Sequence, residues 1–112
     1  MNPEQQRIAI AEACGWTAQE DKDRFWRAVD ASGDMTHELW LCERNVWFAG
    51  TPDYLNDLNA MHEAEKMLTN EQWWLFVEFL TEIRGGGVAL CISATATQRA
   101  EAFLKTLNLW KQ

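Results

Sequence analysis

The stretch Pro52-Asp53-Tyr54-Leu55-Asn56-Asp57-Leu58-Asn59-Ala60-Met61-His62-Glu63-Ala64-Glu65-Lys66 marks where the period of this chain turns helical. On a wheel of ~100° per residue, Tyr54, Leu58, Met61, Ala64 and Leu68 share one side. Asn56, Asn59, His62, Glu63 and Lys66 share the other, and Asp53 is placed to cap a helix running to about Leu68. Asp57 breaks the pattern, because it projects between Met61 and Leu68 into the apolar stripe. Burying an unpaired carboxylate costs about several kcal/mol, so Asp57 needs partners. Two roles answer that need: acceptor for backbone amides or a basic neighbour near the positive end of a helix, or a carboxylate lining a pocket. Asn59, His62, Glu63 and Lys66 read as a solvated face. His62 beside a carboxylate raises a general-base or metal role, but no second histidine stands at i+4 and His37 lies in a segment of undetermined position.

Downstream, Thr69 followed by Gln72 is a capping-box pattern that opens a helix through Arg84. Trp73, Phe76, Val77, Leu80 and Ile83 make its core stripe, with Phe79 at the margin. Trp74 and Leu75 point away from that stripe, among Glu71, Glu78, Thr81 and Glu82. Either the segment 17–50 covers them, or they form an exposed apolar patch of the kind that marks a partner or self-association surface. Gly85-Gly86-Gly87 stops the helix and leads into a compact apolar strand, Val88-Ala89-Leu90-Cys91-Ile92. Phosphate-cradling glycines run the other way, from strand into helix, so no phosphate loop is expected here. Thr95 and Gln98 repeat the capping-box pattern and open a last helix to about Asn108. Ala96, Ala100, Phe103, Leu104 and Leu107 line its apolar face, while Arg99, Glu101, Lys105 and Asn108 are expected to face water.

Upstream, Asn2, Pro3 and Gln5 are N-cap, first helical residue and capping-box partner of an opening helix. Ile8, Ala11 and neighbouring alanines carry its apolar face, and Gly15 suits the left-handed residue that ends it, with Trp16 as hydrophobic contact. In 17–50, Glu20 to Arg24 is a charged stretch and Phe25-Trp26-Arg27-Ala28-Val29 reads as a strand before the turn residues Ser32-Gly33-Asp34. Glu38-Leu39-Trp40-Leu41-Cys42 and Asn45-Val46-Trp47-Phe48-Ala49 read as further strands of a small antiparallel meander. A helix over 20–31 is the alternative.

With 112 residues, 47% hydrophobic content and seven tryptophans, the chain suits one folded domain over 1–112. The net charge is −7, with seven acids against four bases in 1–36, six against two in 37–69, and four of each in 70–112. An acidic chain repels phosphate, so direct nucleic-acid binding is not expected; the charge serves solubility, or an acidic face meets a basic partner. Cys14, Cys42 and Cys91 are widely spaced and read as buried reduced thiols, with no disulfide framework. No apolar run approaches the ~20 residues of a membrane span. Met1 to Arg7 lacks the blocks of a signal peptide, which points to the cytoplasm. No ligand spacing for a metal and no catalytic string occurs, so neither a cofactor nor enzyme activity is expected.

The stretch 52–66 and its echo Ala94-Thr95-Ala96-Thr97-Gln98-Arg99-Ala100-Glu101-Ala102-Phe103-Leu104 together resemble the phage ABA-sandwich family. Ile8-Ala9-Ile10-Ala11-Glu12-Ala13-Cys14-Gly15-Trp16 resembles the usual opening of such proteins. The resemblance implies a layered fold and a phage or prophage origin; it implies no reaction. It agrees with the α+β class expected from the residues: a small, mainly antiparallel sheet layered with about four helices, in the order α, β strands, α, α, β, α. Small phage accessory proteins generally act by binding. The expected function is therefore inhibition or modulation of a host protein, for example a CRISPR or restriction nuclease, with an acidic flank mimicking nucleic acid. The candidate partner-binding residues are Trp74, Leu75, Glu71, Glu78 and Glu82, with a homodimer through Trp74 and Leu75 as a further expectation. The alternative is a small-ligand binder, such as a sponge for signalling nucleotides, drawing on Arg24, Arg27, Arg44 and Lys66; Asp57, His62 and Asn59 are its candidate polar residues.

Overall fold

Three capping boxes start three of the four longer helices, each where the sequence places it. Asn2 Oδ1 accepts from the Gln5 amide at 2.8 Å while Gln5 Oε1 accepts from the Asn2 amide at 3.0 Å. Thr69 with Gln72 and Thr95 with Gln98 repeat the reciprocal pair. The computed structural model describes residues 1–36, 38–85 and 93–111. Among these residues the chain is α+β, with five helices and one two-stranded antiparallel sheet. The order is α1 (Pro3–Ala13), β1 (Thr17–Glu20), β2 (Trp26–Val29), α2 (Glu43–Asn45) continuing into a π-helical turn (Val46–Gly50), α3 (Leu58–Glu65), α4 (Asn70–Arg84) and α5 (Ala96–Thr106). The expected strand at 88–92, Cys91 and His37 lie outside the described residues. No described helix is long and apolar enough to cross a membrane.

Helix α5 is the hub, packed against α1, α3 and α4. Ala96, Ala100, Ala102, Phe103 and Leu104 are buried along it, and Phe103 meets a core made by Ile10, Ala11, Tyr54, Met61, Phe76 and Leu80. Alanines on α5 let its neighbours approach closely, while phenylalanines fill the remaining space. In α1 the fully buried aliphatic residue is Ile10, whereas Ile8 is only half-buried. Gly15 ends α1 at φ +93°, and a Cβ there would come within 2.6 Å of Ala31 Cβ, so the glycine permits both the left-handed turn and the approach of the hairpin.

Segment 17–50 departs from the expected meander in three ways. β2 forms as read, but its partner is Thr17–Glu20, in the register Thr17–Val29 through Glu20–Trp26. That partner carries no apolar alternation; it is an edge strand held by backbone bonds. The expected strand at 38–42 is reduced to contacts on the other edge of β2, where Trp26–Trp40 and Val29–Met35 are isolated bridges. The run 45–49 is helical, not a strand, with Val46 buried and the Thr51 hydroxyl donating to the Trp47 carbonyl at 2.8 Å. Its aromatic residues follow a helical turn because Trp47 must reach the helical core while Phe48 stays outside. Gly50 makes room for the Trp40 ring, which would lie 2.9 Å from an added Cβ.

Polar latches hold this segment to α1. Arg44 donates to both carboxylate oxygens of Glu4, at 2.8 and 3.1 Å, and holds that carboxyl below its ordinary pKa. Arg7 donates to the carbonyls of Thr51 and Pro52 and lies 5.8 Å from the Phe48 ring centroid. Cys42 is exposed, contrary to the expectation of a buried thiol. Cys14 is half-buried, and burial pushes its pKa up.

Because Phe103 is fully buried on the helix that packs against α1, α3 and α4, Phe103→Ala should cost about 3–5 kcal/mol of unfolding free energy, read by urea denaturation. A loss below about 1 kcal/mol would remove α5 from the centre of the core.

Candidate functional site

Helix α4 presents two environments at once. Phe76 and Leu80 are buried toward α5, so residues half a turn away must face outward. Trp74 is 68% exposed and Leu75 39% exposed, which answers the open question from the sequence: the described residues of segment 17–50 do not cover them. Glu71, Glu78 and Glu82 are exposed on the same side. On the wheel these acids fall between Trp74 and Leu75, opposite the core direction. A groove of about 360 Å³ runs along this face, lined by Trp74, Val77, Glu78, Thr81 and Glu82. The four ion pairs among the described residues use Glu4, Glu63, Glu65 and Glu101, none of them on this face. Trp73, expected in the core stripe, is 39% exposed and tilts against Phe76 with ring centroids 5.3 Å apart.

The other candidates separate. Asp57 does not enter the core; it is the exposed N-cap of α3, accepting from the Asn59 amide at 3.0 Å and the Ala60 amide at 3.3 Å. This is the backbone-amide role anticipated for it. Asp53 caps no helix, and its carboxylate accepts from the Asn56 amide side chain in the preceding turn. Helix α3 therefore starts four residues later than expected, at the second of two capping signals. Asn59 is exposed on the first turn of α3. His62 is exposed and lines a groove of about 400 Å³ with Glu65, Lys66, Leu68, Asn70, Trp73 and Arg99. Lys66 on its rim is paired with Glu63 at 2.7 Å. No group of three metal-ligating side chains occurs among the described residues.

That groove contains what the sequence reading missed. Arg99, expected in water, is 8% exposed, and Glu65 is 5% exposed. Arg99 Nε donates to Glu65 Oε2 at 2.8 Å and Nη2 to Oε1 at 2.5 Å, a bidentate pair joining α5 to α3. The guanidinium also lies 5.5 Å from the Phe76 ring centroid on α4, so three helices meet at one ion pair. A signal for it exists. Glu65 falls ~40° from Met61 on the wheel, mirroring Asp57, and Arg99 falls between Phe103 and Ala102 on its own helix. Opposite charges inside two apolar stripes call for each other.

No protein-family model matches this chain, and no curated protein or solved structure does either. The site therefore stands on its own geometry.

Removing one partner of a desolvated pair takes away the other charge's counter-ion. Arg99→Met and Glu65→Leu should each cost about 3–5 kcal/mol, while the double variant should cost less than either alone. Denaturant titration of the four proteins checks this, and additive losses would mean that the pair is not coupled.

Proposed function

We propose that this chain is a small accessory protein that works by binding, docking on a basic surface of a host protein through the outer face of α4. The observation that carries this reading is the exposure of Trp74 and Leu75 beside Glu71, Glu78 and Glu82, carboxylates that no described base pairs. Large aromatic side chains held on a rigid helix supply contact area at low entropic cost. Carboxylates around them steer a cationic partner and repel phosphate. The net charge of −7 acts in the same direction over a longer range. The resemblance of 52–66 and 94–104 to phage ABA-sandwich proteins suggests the setting, a phage or prophage product in the bacterial cytoplasm. A host nuclease with a basic nucleic-acid channel, of the CRISPR or restriction kind, is the class of partner such a face suits. Modulation by occupancy needs no catalysis and no cofactor.

The tagged protein should retain one host protein from lysate, and raising the salt should release it. Trp74→Ala should weaken that capture about tenfold or more, and neutralising Glu71, Glu78 and Glu82 to Gln should weaken it and flatten its salt dependence. Capture that survives both changes would sink the α4 face as the docking surface.

A second reading rests on the groove beside His62. Trp73 offers a half-exposed indole face there, with Lys66, His62 and Asn70 around it, a set that suits a small planar anion such as a signalling nucleotide. Ligand binding to the native state raises the melting temperature by mass action. A nucleotide panel should then produce a rise that Trp73→Ala abolishes, and a flat response removes this reading.

A further inference from the structure

The outer face of α4 combines an exposed indole, a groove and a row of carboxylates. Trp74, Glu78 and Glu82 stand at i, i+4 and i+8, so they line one side of the helix at intervals of ~6 Å. Beside that row, Val77 and Thr81 also line the groove of about 360 Å³. The Trp74 indole is 68% exposed, which leaves a ring face open at one end of a row of carboxylates.

Resting on the docking reading above, we infer that this groove is an arginine-reading site: a guanidinium of the partner stacks on the Trp74 indole and directs its N–H groups along the helix at Glu78 and Glu82. Each component selects for that group. The indole face attracts a cation through its quadrupole, and a planar guanidinium stacks on it where an ammonium only touches. Carboxylates accept the remaining N–H groups of the fork, which a lysine ammonium cannot present in one plane. Val77 and Thr81 offer apolar surface to the methylene stem. A second copy of this chain is a poorer occupant, since pairing α4 with itself sets Glu71, Glu78 and Glu82 against the same three acids.

The test uses the full chain and two blocked peptides of equal length and charge, an Ala-Arg repeat and its Ala-Lys counterpart. The readout is the indole N–H resonance of Trp74 in a proton–nitrogen correlation spectrum, assigned with Trp74→Phe. The resonance should shift saturably with the arginine peptide, at about tenfold lower concentration than with the lysine peptide. Glu78→Gln with Glu82→Gln should erase that preference while circular dichroism stays unchanged, as both side chains are exposed. Equal responses to the two peptides, or a Trp74 resonance that neither moves, would overturn the arginine site. If host-protein capture still depends on Trp74 in that case, the docking face survives and only its arginine selectivity falls. If capture is also independent of Trp74, both readings fall together.

Discussion

The bidentate pair between Glu65 and Arg99 is the constraint around which the helices are arranged. Both side chains are nearly sealed from water, so their charges have lost hydration that the paired group and, for Arg99, the Phe76 ring help to replace. Such a pair tolerates little displacement, because a guanidinium fork must meet two carboxylate oxygens in one plane. It therefore sets the position of α5 along α3, and the Phe76 contact sets the rotation of α4 about its own axis. Thr97, donating to the Leu55 carbonyl at 3.0 Å, ties the turn before α3 to the start of α5 in the same sense.

The rotation of α4 decides which of its residues are exposed. With Phe76 and Leu80 directed at α5, the side bearing Trp74, Leu75 and the three glutamates points outward. None of the described residues of the amino-terminal half folds over it. The π-helical turn packs on α1 and the hairpin packs on that turn, and their own buried residues, Ala28, Val29 and Val46, lie outside the main helical core. The polar latches from Arg7 and Arg44, with the close approach of Ala31 to Gly15, hold that half at the α1 side of the molecule. The result is an elongated body of 52 × 25 × 22 Å with its most exposed tryptophan on α4.

Local chemistry was legible where the interactions are local. Each capping box spans four residues and is satisfied within itself, so Asn2–Gln5, Thr69–Gln72 and Thr95–Gln98 announce helix starts without reference to the rest of the chain. The same logic misplaces one start, since Asp53 is expected to cap α3 and Asp57 is the residue that does. Strand readings in 38–49 failed for the opposite reason. Short aromatic and β-branched runs have no preference strong enough to resist packing, and Trp40 and Trp47 were placed by Gly50 and the helical core.

From the sequence alone came the α+β class, the starts of α1, α4 and α5, the outward direction of Trp74 and Leu75, and the acids that accompany them. These follow from periodicity and from contacts within a turn or two of helix, which the chain carries wherever it goes. Tertiary structure alone decided that Trp74 stays uncovered, that Asp57 remains at the surface, and that Arg99 leaves water for Glu65. A charge can be buried only when its partner arrives from another element, and residues 65 and 99 are brought together by three helices packing at once.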